Sequence, residues 1–422
     1  MNPAVFPRAR GGRARRWALR LVAAFAAGTA LAAGAARPSY DVDYTIGFDP
    51  EAGTALVEIA LAPGDGRVGS IEFDMPADRY EAVRGDGTLD RDGDTLTWKP
   101  PRDAPSKLRY RYRVDARRGK GGYDARITDD WAIVRGDDLV PASVVRTTKG
   151  ADSRARLHFR LPEGWNGADT PYVRSSRGND VVVVNPERSF DRPVGWIIAG
   201  DIGARREDFD DTHVAVVGPR NDDVRRVDML AFFNGLVPEF RKAFGELPSK
   251  LLIVSAGDPM WRGGLSGPRS LFLHADRPLI SENGTSTLVH ELVHVITRVR
   301  GADGDDWIAE GLAEFYSIEL LHRARLLSDS RAARAHAWMR GHGEDVSTLT
   351  SDRSRHERTA RAVQLFAALD KEIRTRTKGE HDLDDVVREL LELREISRED
   401  LRERVQALTG RPSKVLATPL LD

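Results

Sequence analysis

Two histidines stand four residues apart in His290-Glu291-Leu292-Val293-His294, with a glutamate directly after the first. On a helix, positions i and i+4 share a face, so both imidazoles can reach one metal ion. Glu291 then sits just off that face, placed to work on a metal-activated water. Downstream, the run Trp307-Ile308-Ala309-Glu310-Gly311-Leu312-Ala313-Glu314-Phe315-Tyr316 carries two more carboxylates one helical turn apart. A His-His-Glu set leaves one tetrahedral position open for water, the arrangement of a hydrolytic Zn2+ site. We therefore expect His290, His294 and Glu310 as zinc ligands and Glu291 as the catalytic base. Glu314 is expected to hydrogen-bond the far nitrogen of a ligand histidine and fix its tautomer. The chemistry predicted is zinc-dependent hydrolysis, with a peptide or protein as substrate.

The flanking sequence supplies helices to carry these groups. Ser286 or Thr287 can cap the first, and Leu288, Val289, Leu292, Val293, Val295 and Ile296 give it an apolar body. Burying two histidines on such a helix is costly unless they bind something. Asp305 or Asp306 can cap the second helix, where Ile308, Leu312 and Phe315 recur at helical spacing. The intervening segment 295–309 holds the polar turn Gly301-Ala302-Asp303-Gly304-Asp305, a loop across which the two helices can pack antiparallel.

With these residues in view, the chain resembles the gluzincin peptidases, which pair HExxH with a downstream glutamate in an E-G helix. More narrowly it resembles the bacterial glycyl-aminopeptidase-like family over roughly residues 38–400. Trp261-Arg262-Gly263-Gly264-Leu265-Ser266 and Ser270-Leu271-Phe272-Leu273 are similar to that family's G-G-L-E-H strand and the S-L run after it. Leu369-Asp370-Lys371-Glu372-Ile373-Arg374 and Leu383-Asp384-Asp385-Val386 are similar to its L-D-x-x-I-R and S-L-D-D-V segments. The resemblance implies a thermolysin-like, mainly helical zinc-peptidase domain behind an N-terminal β domain. The PDZ module common in such relatives is not expected, because the chain ends soon after the helical part.

Two positions depart from the family pattern. Ser266 stands where the family has a glutamate that holds the substrate's amino terminus, so aminopeptidase specificity does not follow from the resemblance. Thr359 stands where the family has a tyrosine for the oxyanion, and no tyrosine follows Tyr316. Loss of one oxyanion donor typically costs about 100- to 1,000-fold in turnover. His356, three residues before Thr359, and His342, in a glycine-flanked loop, are the substitute donors that the sequence offers. Gly263, Gly264 and Ser266 are expected to bind substrate, on a strand where a missing side chain permits close approach of a peptide backbone.

The fold class expected is α+β. Tyr40, Val42, Tyr44, Ile46 and Phe48 alternate with polar residues, as do Val57, Ile59 and Leu61, then Ile71, Phe73 and Met75. Leu108, Tyr110, Tyr112 and Val114 alternate with arginines, and this aromatic stripe reads as a core face. These runs, separated by turns such as Gly85-Asp86-Gly87, predict an antiparallel β-sandwich or saddle over 37–205. The catalytic domain is expected over 206–422, with helix from Asp222 through Phe244, a strand at Leu251–Ser255 and mainly helix after Ser286. Ser397-x-x-Asp400 is close to a capping box before a last helix at Leu401–Leu408.

Residues 1–36 read as an export signal. Six arginines precede an apolar run from Leu21 to Ala33, and Ala33-Gly34-Ala35 offers a small-residue cleavage site. Cleavage leads to a periplasmic or secreted bacterial protein; an uncleaved segment would anchor it at the inner membrane. There is no cysteine, which excludes disulfides, thiolate ligands and cysteine nucleophiles. Removing the six leader arginines, with no acids among them, takes the net charge from −1 to −7. No basic stripe is left to argue for nucleic acid. A second function class fits the two departures: a zinc-binding, peptide-binding protein of the cell envelope with weak or no catalysis. A third is a structural β/α protein without metal. Oligomeric state is open.

Overall fold

The computed structural model describes residues 37–422 apart from 120, 176–179 and 186–188. The export signal expected over 1–36 lies outside the described residues. Strand Ser39–Asp49 buries Tyr40, Val42, Tyr44 and Ile46 and leaves Asp41, Asp43 and Thr45 partly exposed, the period-two pattern that the sequence shows. It is the third strand of a six-stranded sheet ordered Val181–Val183, Asp152–Arg160, Ser39–Asp49, Thr54–Ala62, Ser106–Arg113, Tyr80–Gly85. Tyr110 and Tyr112 face the core; the Tyr110 hydroxyl donates to the Leu139 carbonyl at 2.7 Å. Two further sheets, one containing Val68–Asp74 and one containing Trp131–Arg135 and Trp196–Gly200, share this core. The expected antiparallel order holds except for Ser39–Asp49 with Asp152–Arg160, which pair in parallel. That pairing joins strands about a hundred residues apart in the chain, beyond what turn signals between neighbouring strands can report.

A second layer begins with strand Ile202–Phe209. Its five-stranded sheet runs Ile202–Phe209, Thr212–Pro219, Lys250–Ala256, Ser270–His274, Gly264–Gly267. The three central strands are parallel and the two edge pairs antiparallel. Both faces are covered. Trp131, Ile133, Trp196 and Ile198 of the β region pack on Val217, Leu252, Val254 and Phe272. The opposite face, with Val214, Val216, Leu251, Ile253, Leu271 and Leu273, packs on the helices. Strands buried on both faces read as near-continuous apolar runs, as Leu251-Leu252-Ile253-Val254 does.

The helices are α1 (Gly136–Leu139), α2 (Arg226–Phe244), α3 (Thr287–Thr297), α4 (Asp306–Arg323), α5 (Asp329–His342), α6 (Glu357–Arg376), α7 (Leu383–Leu390) and α8 (Arg398–Thr409). The chain thus combines a sheet-rich N-terminal part with a mainly helical C-terminal part. Helix α2 starts four residues later than expected, because the Asp222 carboxylate instead accepts from the Gly257 N–H at 2.9 Å. Helix α8 starts at Arg398, behind a complete capping box in which Asp400 replaces the usual glutamate. Among the described residues, no helix is long and apolar enough to cross a membrane.

Candidate metal centre

Helix α3 is started by Ser286, whose hydroxyl accepts from the Val289 N–H at 3.2 Å, and it ends where Arg298 turns left-handed at φ 57°. Its apolar face, with Leu288, Val289, Leu292 and Val293, is buried. That packing turns His290 and His294 toward α4. Asp305 occupies the cap position of α4 but does not cap it. Its carboxylate accepts from the Trp307 indole at 3.1 Å and from both the backbone and side chain of Arg398. Asp306 accepts from the Ser354 N–H at 2.6 Å, tying α4 to the segment before α6.

Across the α3–α4 contact, the His290 and His294 Nε2 atoms lie 3.2 Å apart. Glu310 places Oε2 3.5 Å from His290 Nε2 and Oε1 3.5 Å from His294 Nε2. Among the described residues this is the one His, Asp or Glu group able to hold a metal ion. The distances test the fit. Ligands bound at about 2.0–2.1 Å in a tetrahedron are about 3.3–3.4 Å apart; the two Nε2 atoms are close to that separation, and Glu310 brings one oxygen within 3.5 Å of each. The donor set, two imidazoles and one carboxylate, is also that of a water-activating zinc site. Glu314 Oε2 lies 2.8 Å from His290 Nδ1, so that nitrogen would keep its proton when Nε2 gives up its own to bind a metal ion.

Electrostatics follow the same geometry. Burial opposes charge on both imidazoles. At His290 the Glu310 and Glu314 carboxylates overcome it and hold the pKa well above the usual histidine value. At His294 burial, with His290 beside it, takes the pKa down to about 4. Burial also drives Glu310 upward, but His290 and His294 bring it below the ordinary glutamate value. Glu291 is only 8% exposed, and that burial raises its pKa. His290 and hydrogen bonds from the hydroxyl and backbone of Ser266 pull the other way.

The triad opens into a cleft of about 940 Å³ lined also by Glu291, Glu314, Gly264, Ser266, His342, His356 and Thr359. Of the residues expected to serve the site, Gly263 alone does not line this cleft. Its N–H donates to Trp261 and its carbonyl accepts from His274, so its backbone is engaged within the protein. The close approach at Gly264 is made by a helix, not by a substrate: a Cβ there would lie 2.7 Å from Glu291 Cγ and 2.8 Å from Thr287 Cγ2. Gly264 thus seats α3 against the strand while lining the cleft, and a Cβ at Gly263 would meet the Trp261 ring instead. Ser266 lines the cleft beside Glu291 and draws its pKa down. His342 stacks on Trp338 at 4.6 Å, and His356 stands at the start of α6 without capping it. Thr359 is buried, with Oγ1 3.4 Å from Ser354 Oγ. No tyrosine lines the cleft among the described residues, and Tyr316 is fully buried, donating to Asp384 at 2.9 Å.

Sequence reasoning missed Arg118, Trp261, Arg353 and Arg355, which also line the cleft. Arg118 comes from the β region, and only the packing of the two layers brings it to a site more than 170 residues downstream. Nothing in its local sequence signals this. A second cleft, of about 620 Å³, also reaches the triad. It shares Ser266, His294, Asp306 and Glu310 with the first and adds Arg298, Arg300 and Arg394.

No family model matches the sequence, and no curated protein is significantly similar to it. The fold does have solved counterparts. An aminopeptidase N family protein from Idiomarina loihiensis aligns with a TM-score of 0.63 and 13% identity, over 90% of this chain and 74% of that one. The M1 zinc metallopeptidase of Deinococcus radiodurans aligns at 0.57 and 13% identity, over 91% of this chain and 94% of that one. The leukotriene A4 hydrolase of Saccharomyces cerevisiae aligns at 0.53 and 13% identity, over 90% of this chain and 66% of that one. At these identities the likeness is one of fold.

Proposed function

We propose that this chain is an exported zinc peptidase, with His290, His294 and Glu310 as ligands. The observation that carries the reading is the convergence of the His290 and His294 Nε2 atoms, 3.2 Å apart, with one Glu310 oxygen 3.5 Å from each and Glu291 buried beside them. Solved structures of the same fold include a zinc metallopeptidase, which supports it. Zinc at such a site supplies Lewis acidity, which makes a water a nucleophile near neutral pH and polarises a carbonyl. The protein's own groups do the rest. Glu291 takes the proton of the attacking water and hands it to the leaving amine. Ser266 orients Glu291, and Glu314 holds the His290 tautomer.

Several finer features belong to the same proposal. The narrower resemblance to glycyl-aminopeptidase-like enzymes, and a thermolysin-like catalytic unit, rest on the motifs quoted above. Export to the periplasm or beyond rests on the basic and apolar pattern of 1–36. Hydrolysis within a chain fits better than removal of an amino-terminal residue. Ser266 brings no charge for an α-ammonium, and two clefts meet at His294 and Glu310.

Among the described residues no tyrosine lines the cleft, which favours a second reading, a zinc-binding peptide-capture protein with little turnover. One experiment separates the two: metal analysis and peptide-library cleavage by wild-type and Glu291→Gln protein. The expected result is one zinc per chain in both, and cleavage by the wild type alone. Cleavage that persists in Glu291→Gln removes the mechanism. Peptide binding without wild-type cleavage selects the capture protein, and a metal content far below one per chain overturns both readings.

A further inference from the structure

The side chains that surround the triad, apart from the groups assigned to metal and proton transfer, are notably cationic. Arg118, Arg353 and Arg355 line the larger cleft, and Arg298, Arg300 and Arg394 line the smaller one. The carboxylates present are accounted for within the protein. Glu314 is bonded to His290, Glu310 faces both histidines, Glu291 is held by Ser266, and Asp306 accepts from Ser354. The guanidiniums of Arg353 and Arg355 are exposed and, among the described residues, make no hydrogen bond or ion pair with the protein; their charges act at longer range on Asp306, and that of Arg355 also on Glu310. Arg118 is held over the Trp261 ring at 3.9 Å and paired with Asp124, so it presents its charge from a fixed place. Helix α6 also opens onto this cleft with no side-chain cap, and its positive end adds to the same field. The whole chain carries a net charge of −1, so these arginines are not a reflection of a basic protein.

We infer that the groove selects acidic polypeptide, with substrate carboxylates next to the scissile bond paired to Arg353 and Arg355. The inference rests on the peptidase reading for the site and adds its substrate class. Guanidinium forks match carboxylates in geometry as well as charge, and they repel a lysine side chain or a free α-ammonium at the same place. The attraction between these exposed guanidiniums and a substrate carboxylate falls as salt rises.

The test uses full-length zinc-loaded protein and three peptide series equal in length. The residues flanking the cleavable bond are Glu and Asp, Gln and Asn, or Lys. kcat/KM is measured for the wild type, and equilibrium binding by tryptophan fluorescence for Glu291→Gln, since Trp261 and Trp338 line the cleft. The expected result is a preference for the acidic over the neutral series of about tenfold, the worth of one charged hydrogen bond, shrinking at high salt. Arg353→Ala with Arg355→Ala should bring the acidic-to-neutral ratio close to one, and Arg355→Glu should favour the lysine series. Equal binding and cleavage of acidic and neutral peptides overturns the inference, as does a preference that survives the double substitution. Acidic peptides bound selectively by Glu291→Gln, with no cleavage by the wild type, uphold this inference and remove hydrolysis instead.

Discussion

At the residue scale, the site depends on how a buried carboxylate is kept ready to accept a proton. Burial favours the neutral form of Glu291, and the Ser266 hydrogen bonds favour the ionised form. Ser266→Ala removes the hydroxyl but leaves the backbone N–H beside Glu291. A hydrogen bond to a charged group contributes about 1.5–3 kcal/mol, which corresponds to roughly one to two pKa units. The base works when ionised, so losing the bond raises its pKa. The acid limb of the kcat/KM profile should then move to higher pH by about one unit or more, while the plateau stays within about tenfold of wild type. An acid limb that does not move would show that Ser266 has no part in holding Glu291. Little of this was legible beforehand. The ligands and base were readable because a helix turns a spacing of four residues into one face. The partner of Glu291 was not, because Ser266 arrives from a strand whose position depends on the packing of the sheet.

At the element scale, α3 and the edge strand Gly264–Gly267 are fitted to each other through a missing side chain. The expected role of Gly264 was to admit a substrate backbone, yet its space holds Glu291 Cγ and Thr287 Cγ2. A glycine in a strand marks a close approach, but sequence does not say of what. Gly264→Ala would put a methyl carbon 2.7 Å from Glu291 Cγ, so the helix or the side chain must shift. Overpacking of this kind costs about 1–3 kcal/mol of stability, and a misplacement near 1 Å at the base can cost about 100-fold in rate. The expected outcome is a kcat lowered by about 10- to 100-fold with one zinc per chain retained, since His290 and His294 do not touch this strand position. Full activity in the alanine variant would mean that Glu291 is positioned by something else. Gly311 works in a similar way between α4 and α6, where a Cβ would come 2.5 Å from the Ala362 Cβ. Capping was more legible than close packing. Ser286 and Ser397 sit where their sequence patterns put them, because a cap is a local hydrogen bond, whereas a glycine contact is set by the distant element it admits.

At the scale of the whole molecule, the β region helps to build the site as well as preceding it. Strand alternation showed the sandwich strands, but no sequence pattern showed that Trp196 would reach across to the second sheet. Its indole donates to the Leu265 carbonyl at 2.9 Å, and its backbone N–H donates to the Ser270 hydroxyl at 2.8 Å. Leu265 lines the cleft, so an N-terminal residue fixes the strand that carries Ser266. Trp196 is fully buried and lies against Phe272, with ring centroids 5.5 Å apart. Trp196→Phe keeps an aromatic ring and the backbone bond but strands the Leu265 carbonyl, a loss of about 1–3 kcal/mol. Residues from Pro38 to Asp422 form one compact unit, so the loss should lower the thermal midpoint of sheet and helix signals together. The same variant should weaken kcat/KM by several-fold while zinc content is unchanged, because the strand moves and the helix-borne ligands do not. Circular dichroism melting, metal analysis and kinetics on one preparation give the answer. Two separate melting steps in the wild type, or normal kcat/KM in Trp196→Phe, would show that the β region is a passenger on the catalytic unit.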